Sequence, residues 1–305
     1  MRKRKDRFKF YDLVVYAARN SNSARKLATA LGSRRWRDDL PERYRRRRPY
    51  FRGNSSPMVV NWGSTNPATW LSDSRFRLSP KWLNGSENVD RAINKLKFFQ
   101  HFAGGSELPI LRATSDREKA LKWLKKGFGV VARKTLTGSS GAGIEIVQPG
   151  KELPEAPLYT RYYPKTHEFR FHVWKDGELI DFTQKKLKHD YPNSRRDIRS
   201  LDNGWVHAHD GLDLDTDSIN AIRKACSECV ASLGLDFGAV DVLGILDKET
   251  RELKSFRICE VNTGPGLENE RTIQLYAEAI LKRYQEHRNG LHIRRADAQV
   301  HGEVR

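Results

Sequence analysis

The sequence predicts a protein of mixed α/β and α+β class, with a small N-terminal α/β domain followed by a larger α+β region in two subdomains. Three observations carry this. At 305 residues the chain is longer than one core usually supports. It opens strand-then-helix: Tyr11–Tyr16 is a short apolar run, and Ser21-Asn22-Ser23 offers a cap before the helical spacing of Ala24–Leu31. From Gly129 the apolar period becomes alternating, and five short strands follow one another between Gly, Pro and charged turns.

Taken in order, Arg45–Tyr50 is too polar to pack, and Pro57–Trp62 reads as a second strand ending in a Gly63-Ser64 turn, so the first domain is expected to span 1–87. Val89–Phe102 is helical, with Ala92, Leu96 and Phe99 on one stripe. Pro109-Ile110-Leu111 is a short strand and Ser115–Lys126 a second helix. The five strands are Gly129–Lys134, Ile144–Gln148, Leu158–Tyr162, Glu168–Trp174 and Glu178–Phe182. A long polar loop, Leu187–Arg199, precedes the amphipathic helix Ser218–Leu233. Paired strands Phe237–Leu246 and Phe256–Asn262 then lead to a closing helix, Glu270–Glu286. Divisions are expected at 88–157, 158–288 and a frayed basic tail, 289–305.

Hydrophobic residues at 38% and charged residues at 31% give enough apolar side chain for real cores, which excludes wholesale disorder. No run approaches about eighteen apolar residues and no apolar stretch follows Arg2–Lys5, so neither a transmembrane helix nor a signal peptide is expected, and the default setting is a reducing cytoplasm. Cys226 and Cys229 are spaced as C-x-x-C, but they lie in a helical pattern with no second pair, so zinc or redox use is not expected. The net charge is +18, and residues 1–50 hold 17 Lys/Arg against 5 Asp/Glu. The peak, Arg43 and Arg45–Arg48, is either a solvated face or a footprint for an acidic polypeptide or nucleic acid.

Two constellations carry chemistry. Lys134 ends a strand and is followed by a loop of small residues, Gly138-Ser139-Ser140-Gly141-Ala142-Gly143, whose backbone N–H groups can close on phosphate oxygens. This is neither a Walker A loop nor a dinucleotide fingerprint. Downstream, Asp241 ends one strand, while Glu260 and Asn262 stand two apart on the next and so share a face. Three oxygen-bearing side chains of this kind suit a hard divalent cation such as Mg²⁺ (or Mn²⁺) bound with substrate phosphates. In the strand beginning Glu168, the residues Glu168, Arg170 and His172 share the face opposite the apolar one. His207 and His209 also share a face, and packing or solvation is expected for both.

The lysine-then-small-loop element, the strand Leu235–Asp241 and the terminal Glu260-Val-Asn262-Thr-Gly-Pro-Gly266 occur in an order and spacing that resembles the ATP-grasp ligases, in particular the ribosomal-protein glutamate ligases and related amino-acid ligases. The resemblance covers about Asn94 to Glu286. It implies a pre-ATP-grasp α/β domain followed by a two-subdomain ATP-grasp fold, with the phosphate loop in 88–157 and the metal site in 158–288. It further implies that Lys95, Lys134 and the Gly138, Ser139, Ser140, Gly141 and Gly143 loop contact ATP phosphates. Thr160, Arg161 and Tyr162 would receive adenine through the backbone, Glu168 the ribose, and Asp241, Glu260 and Asn262 the Mg²⁺. Arg170 and Lys185 would address the transferred phosphate or acyl phosphate; Lys185 and Lys186 stand where relatives often place an arginine. The reaction so implied activates a carboxylate as an acyl phosphate for attack by an amine, with ADP and phosphate released. The alternative is a nucleic-acid-binding or nucleic-acid-modifying protein that uses the same domain; a structural scaffold is disfavoured by the intact phosphate loop and ligand set.

Overall fold

Leu13–Ala17 (β1) is apolar at every position because it is the inner strand of a parallel sheet ordered β2-β1-β3-β4, with Arg34–Arg37 (β2), Met58–Asn61 (β3) and Lys81–Leu83 (β4). In this computed structural model, residues 12–39, 56–66, 80–138, 143–189, 191 and 196–302 are described, 291–302 by backbone alone. Asn22–Ala30 (α1) joins β1 to β2, and its cap is the expected serine: Ser21 Oγ accepts from Ala24 N at 3.2 Å. β2 escapes the sequence reading because Arg-Arg-Trp-Arg has one apolar side chain, Trp36; its pairing with β1 makes it a strand.

The last helix, Glu270–Gly302 (α6), corrects two expectations. The chain divides into one unit of Met1–Ser86 with Gly264–Arg305 and a second of Glu87–Thr263, so the helix groups with the first unit instead of with 158–288. Its stripe of Ile273, Tyr276, Ala277, Ile280 and Tyr284 is buried, Tyr276 stacks edge-on against Trp62 at 5.1 Å, and Tyr284 and Arg288 both bind the carboxylate of Asp12. These partners lie far upstream, beyond the reach of local periodicity. The helical backbone also continues through most of the expected frayed tail.

The second unit holds two antiparallel sheets. Ala113–Thr114 (β5), Val130–Arg133 (β6), Ile144–Val147 (β7) and Leu158–Arg161 (β8) are ordered β5-β8-β6-β7. Arg117–Lys125 (α4) packs Ala120 and Leu124 with Val130, Ala132 and Tyr159 in a small core. His167–Trp174 (β9), Leu179–Leu187 (β10), Trp205–Ala208 (β11), Phe237–Leu246 (β12) and Leu253–Asn262 (β13) are ordered β11-β10-β9-β12-β13. Thr216–Ser232 (α5) lays Ile222, Cys226, Cys229 and Val230 in one core with Phe169, Phe171, Val173, Val240 and Val242. Both cysteines are thus core side chains. The expected helix Val89–Phe102 is two, Ser86–Ile93 (α2) and Lys95–Phe102 (α3), because Asn94 is extended (φ −80°, ψ 108°) and caps the second with its side chain. Among the described residues no helix is long and apolar enough to cross a membrane.

Candidate functional site

Strand parity builds the site. In β9 the odd positions Phe169, Phe171 and Val173 enter the core with α5, so Glu168, Arg170 and His172 occupy the opposite face of the sheet. Register then aligns the neighbours: Asp241 lies opposite Arg170, Glu260 opposite Asp241, Thr183 opposite Arg170, and His207 opposite Lys185. A β-bulge after Asp241 moves Val242 opposite Ile258 and leaves Cys259 over, which sets the twist at which Glu260 and Asn262 meet Asp241. The Asn262 amide reaches Asp241 at 3.3 Å and Glu260 at 3.4 Å, so the three expected ligands are together.

Their chemistry fits Mg²⁺. Two carboxylates and one amide supply hard oxygen donors but fill only part of an octahedron, which matches an ion that keeps water and takes substrate phosphates as its other ligands. Among the described residues there is no group of three or more His, Cys, Asp or Glu able to hold a metal by themselves. The amide would present its oxygen in place of the N–H groups now turned to the carboxylates.

Charges are arranged unequally around this set. Arg170 grips Asp241 with both arms of its fork, Nε to Oδ1 at 2.6 Å and Nη2 to Oδ2 at 2.8 Å. Burial alone would raise the Asp241 carboxyl, but Arg170, with Lys185 beyond it, holds it well below the usual carboxylate range. Glu260 is pushed the other way, by burial and then by the charge of Asp241, against the pull of Lys95. Lys95, at the start of α3, lies 3.7 Å from Glu260 and donates to the carbonyl of Gly138 at 3.1 Å, so the cationic helix start, the loop and the carboxylates meet. Lys95, Gly138, Glu260 and Asn262 line a cavity of about 80 Å³ with Phe98 and Thr137.

Other expected residues sit less simply. Lys134 directly follows β6, half exposed and paired with Glu145 at 2.9 Å. Gly143 closes the loop at φ +69°, where a Cβ would meet the Thr135 side chain at 3.0 Å, so glycine is required there. Ser139, Ser140 and Gly141 lie outside the described residues, as do Arg43 and Arg45–Arg48. Thr160 is buried with no partner for its hydroxyl among the described residues. The N–H groups of Arg161 and Tyr162 already serve the sheet, bonded to Arg112 and Gly129 carbonyls. Burial, with Arg112 and Arg257 nearby, lowers the proton affinity of Arg161, whose guanidinium lies 4.0 Å over the Phe128 ring. Glu168 is clamped between Lys165 at 2.8 Å and Lys185 at 2.9 Å, and Lys185 also donates to the Arg199 carbonyl. Burial opposes the charge of Lys185, but Glu168 and Asp241 raise its affinity for the proton above the ordinary value.

Two residues escaped the sequence reading. Arg133 pairs with Leu158 and Val131 with Thr160, so this set shares one face of its sheet, while Val130 and Ala132 turn to α4; Arg133 Nε is buried without a partner among the described residues. The same alternation, extended one residue, takes Lys134 to the α4 side. Lys165 was missed because it lies just before β9, where no strand pattern sets the reach of its side chain to Glu168.

No protein-family profile and no curated protein sequence matches the chain. Solved structures do. The ATP-grasp ligase PsnB complexed with minimal precursor superposes with a TM-score of 0.57 over 90% of this chain and 98% of that one, at 12% identity. The chain has the ATP-grasp fold. The same ATP-grasp architecture matches a D-alanine–D-alanine ligase from Bacillus anthracis (TM-score 0.57, 14% identity, 91% of this chain and 99% of that one). It also matches a RimK domain ATP-grasp protein from Sphaerobacter thermophilus (TM-score 0.52, 13% identity, 87% and 98%). Structures of PsnB with Mg and ADP, and of the B. anthracis ligase with ATP, place nucleotide in this fold in those proteins.

Proposed function

We propose that the protein is an ATP-dependent carboxylate–amine ligase that works through an acyl phosphate and uses Mg²⁺. One observation carries the reading: Asp241, Glu260 and Asn262 converge on the sheet face opposite the core packed with α5, with Lys95 and the start of the small-residue loop beside Glu260. Bound there, Mg²⁺ would neutralise phosphate charge. Lys95 and the Gly138–Gly143 loop, with Ser139, Ser140 and Gly141, hold the phosphates. Strand parity favours Arg133 as the second cation, and Lys134 joins it only on leaving Glu145. Adenine is read by the hinge beyond Thr160, through groups of Arg161 and Tyr162 that the sheet does not use, and Glu168 takes the ribose hydroxyls.

In this reading a substrate carboxylate oxygen attacks the γ-phosphorus and ADP leaves. The amine then attacks the acyl carbon, and inorganic phosphate leaves. Arg170 and Lys185 sit on the sheet face where that charge develops. The PsnB and D-alanine–D-alanine ligase likenesses suggest a peptide or amino-acid substrate, and the basic N-terminal stretch suggests an acidic one, in a reducing cytoplasm. The same charge is what favours the second reading, a nucleic-acid-binding or nucleic-acid-modifying protein. A screen of amino acids, oligoglutamate and nucleic acids for stimulated phosphate release, with mass spectrometry of the product, tests the first reading. A mass increase equal to an amide condensation supports it; phosphate release stimulated by nucleic acid alone favours the second.

A further inference from the structure

His207 lies opposite Lys185 on the polar sheet face, one row from Thr183, Arg170 and Asp241. Its Nδ1 is 3.0 Å from the Thr183 hydroxyl. Thr183 is 3% exposed, and its hydroxyl has no other partner among the described residues. A hydroxyl so buried is costly to leave with an unused proton, and the ring nitrogen 3.0 Å away is the acceptor at hand. The tautomer follows: Nδ1 accepts from Thr183, and the ring hydrogen sits on Nε2. Burial, then the charges of Arg170 and Lys185 with His209 beside them, outweigh the pull of Asp241 and lower the His207 pKa to about 3, so the ring stays neutral. A ring in this state offers a hydrogen and has no free lone pair to act as a base. The sequence reading gave this residue only packing or solvation.

We infer that the Nε2–H of His207, together with Arg170 and Lys185, forms the oxyanion site for the acyl-transfer step; this rests on the ligase reading above. When the amine nitrogen bonds to the acyl carbon, the carbonyl electron pair moves onto oxygen, and that anion is what the three donors face. Collapse of the tetrahedral species re-forms the carbonyl and breaks the bond to phosphate, which leaves with the pair. The proton from the amine goes to the departing phosphate or to water, and His207 neither gains nor loses one. Because it works as a neutral donor, like a backbone N–H, its contribution is constant across neutral pH.

Two measurements test this on the full chain. Nitrogen-15 spectra of histidine-labelled protein should show His207 with an acceptor-type Nδ1 and a protonated Nε2 from about pH 8 to about pH 6, and Thr183→Val should scramble that tautomer. A charged ring at about pH 6, or the hydrogen on Nδ1, overturns the inference. In the second, hydroxylamine traps the acyl phosphate formed from glutamate, D-alanine or oligoglutamate. His207→Phe should lower kcat by about 10²-fold with the KM for ATP unchanged, while His207→Gln, which keeps an N–H, retains most of the rate. Equal loss in both variants with a raised KM, or no loss in either, overturns it. Absence of hydroxamate with the unaltered protein and every carboxylate overturns the ligase reading itself, and this step with it, while the spectra still report the tautomer.

Discussion

Glu260 and Asp241 look interchangeable in sequence, yet their partners give them different tasks. Asp241 is gripped by Arg170, so Asp241→Asn leaves a largely buried guanidinium with a neutral partner and should lower stability by about 3 kcal/mol or more. Glu260→Gln removes a carboxylate whose burial already disfavours its charge, so the melting temperature should hold while Mg²⁺-stimulated ADP formation is lost. Melting curves and ADP assays on both variants check the contrast. His172 gives a pH prediction. Burial, then the charge of Arg170, lowers it to about 3, so between about 6.5 and 3 the unfolded chain binds a proton that the folded one refuses. Its contribution is complete above about pH 6.5 and falls as pH drops, by about 1.4 kcal/mol per unit. Glu260, raised in the fold, acts in the opposite sense, so the test compares wild type with His172→Gln by denaturant midpoints from about pH 7 to about pH 5: the variant should show the shallower loss. Sequence alternation alone puts Arg170 and His172 on one face; that His172 is neutral depends on burial and then the charge of Arg170 outweighing Asp181 on the neighbouring strand, which no single-strand pattern reveals.

The break between α2 and α3 shows how an element positions chemistry. Asn94 accepts from the N–H groups of Leu96 and Lys97, and that cap starts α3 at Lys95, whose amine reaches both Gly138 and Glu260. Asn94→Ala should cost about 1 kcal/mol of stability and raise the KM for ATP, because the helix start would shift. An unchanged KM would show that Lys95 is placed by other contacts. The loop that follows β6 has a similar local requirement. Gly143→Val forces a β-branched residue to φ +69° against Thr135, so ATP affinity should fall while the melting temperature moves little, a split that calorimetry and thermal scans resolve. Of the two, only the loop is legible in sequence, as a small-residue run. The single helix expected over Val89–Phe102 missed the break because Asn94 leaves the apolar spacing intact, and its capping role depends on its extended backbone.

At the scale of the whole molecule, alternating and helical periods made α5 and most strands of the second unit's two sheets legible, though not β5 or β11, and the motif spacing located the carboxylate set. They could not assign α6, whose buried partners Asp12 and Trp62 lie more than two hundred residues upstream, or β2, which is a strand through its backbone pairing. At Lys134 the structure shows an ion pair with Glu145, while parity turns the neighbouring Arg133 toward the face of Thr160, a distinction that motif spacing does not make. What the fold adds is convergence, since Lys95, Gly138, Asp241, Glu260 and Asn262 come from four separated stretches of the chain and meet within hydrogen-bond or ion-pair reach. The central claim is that this convergence is a Mg²⁺-dependent ATP site. Calorimetric titration with a non-hydrolysable ATP analogue, with and without Mg²⁺, on the unaltered protein and on Lys95→Ala tests it most directly. The account predicts Mg²⁺-dependent binding that weakens in Lys95→Ala by about 1.5–3 kcal/mol, a charge-assisted hydrogen bond to phosphate; binding indifferent both to Mg²⁺ and to the loss of that amine would contradict it.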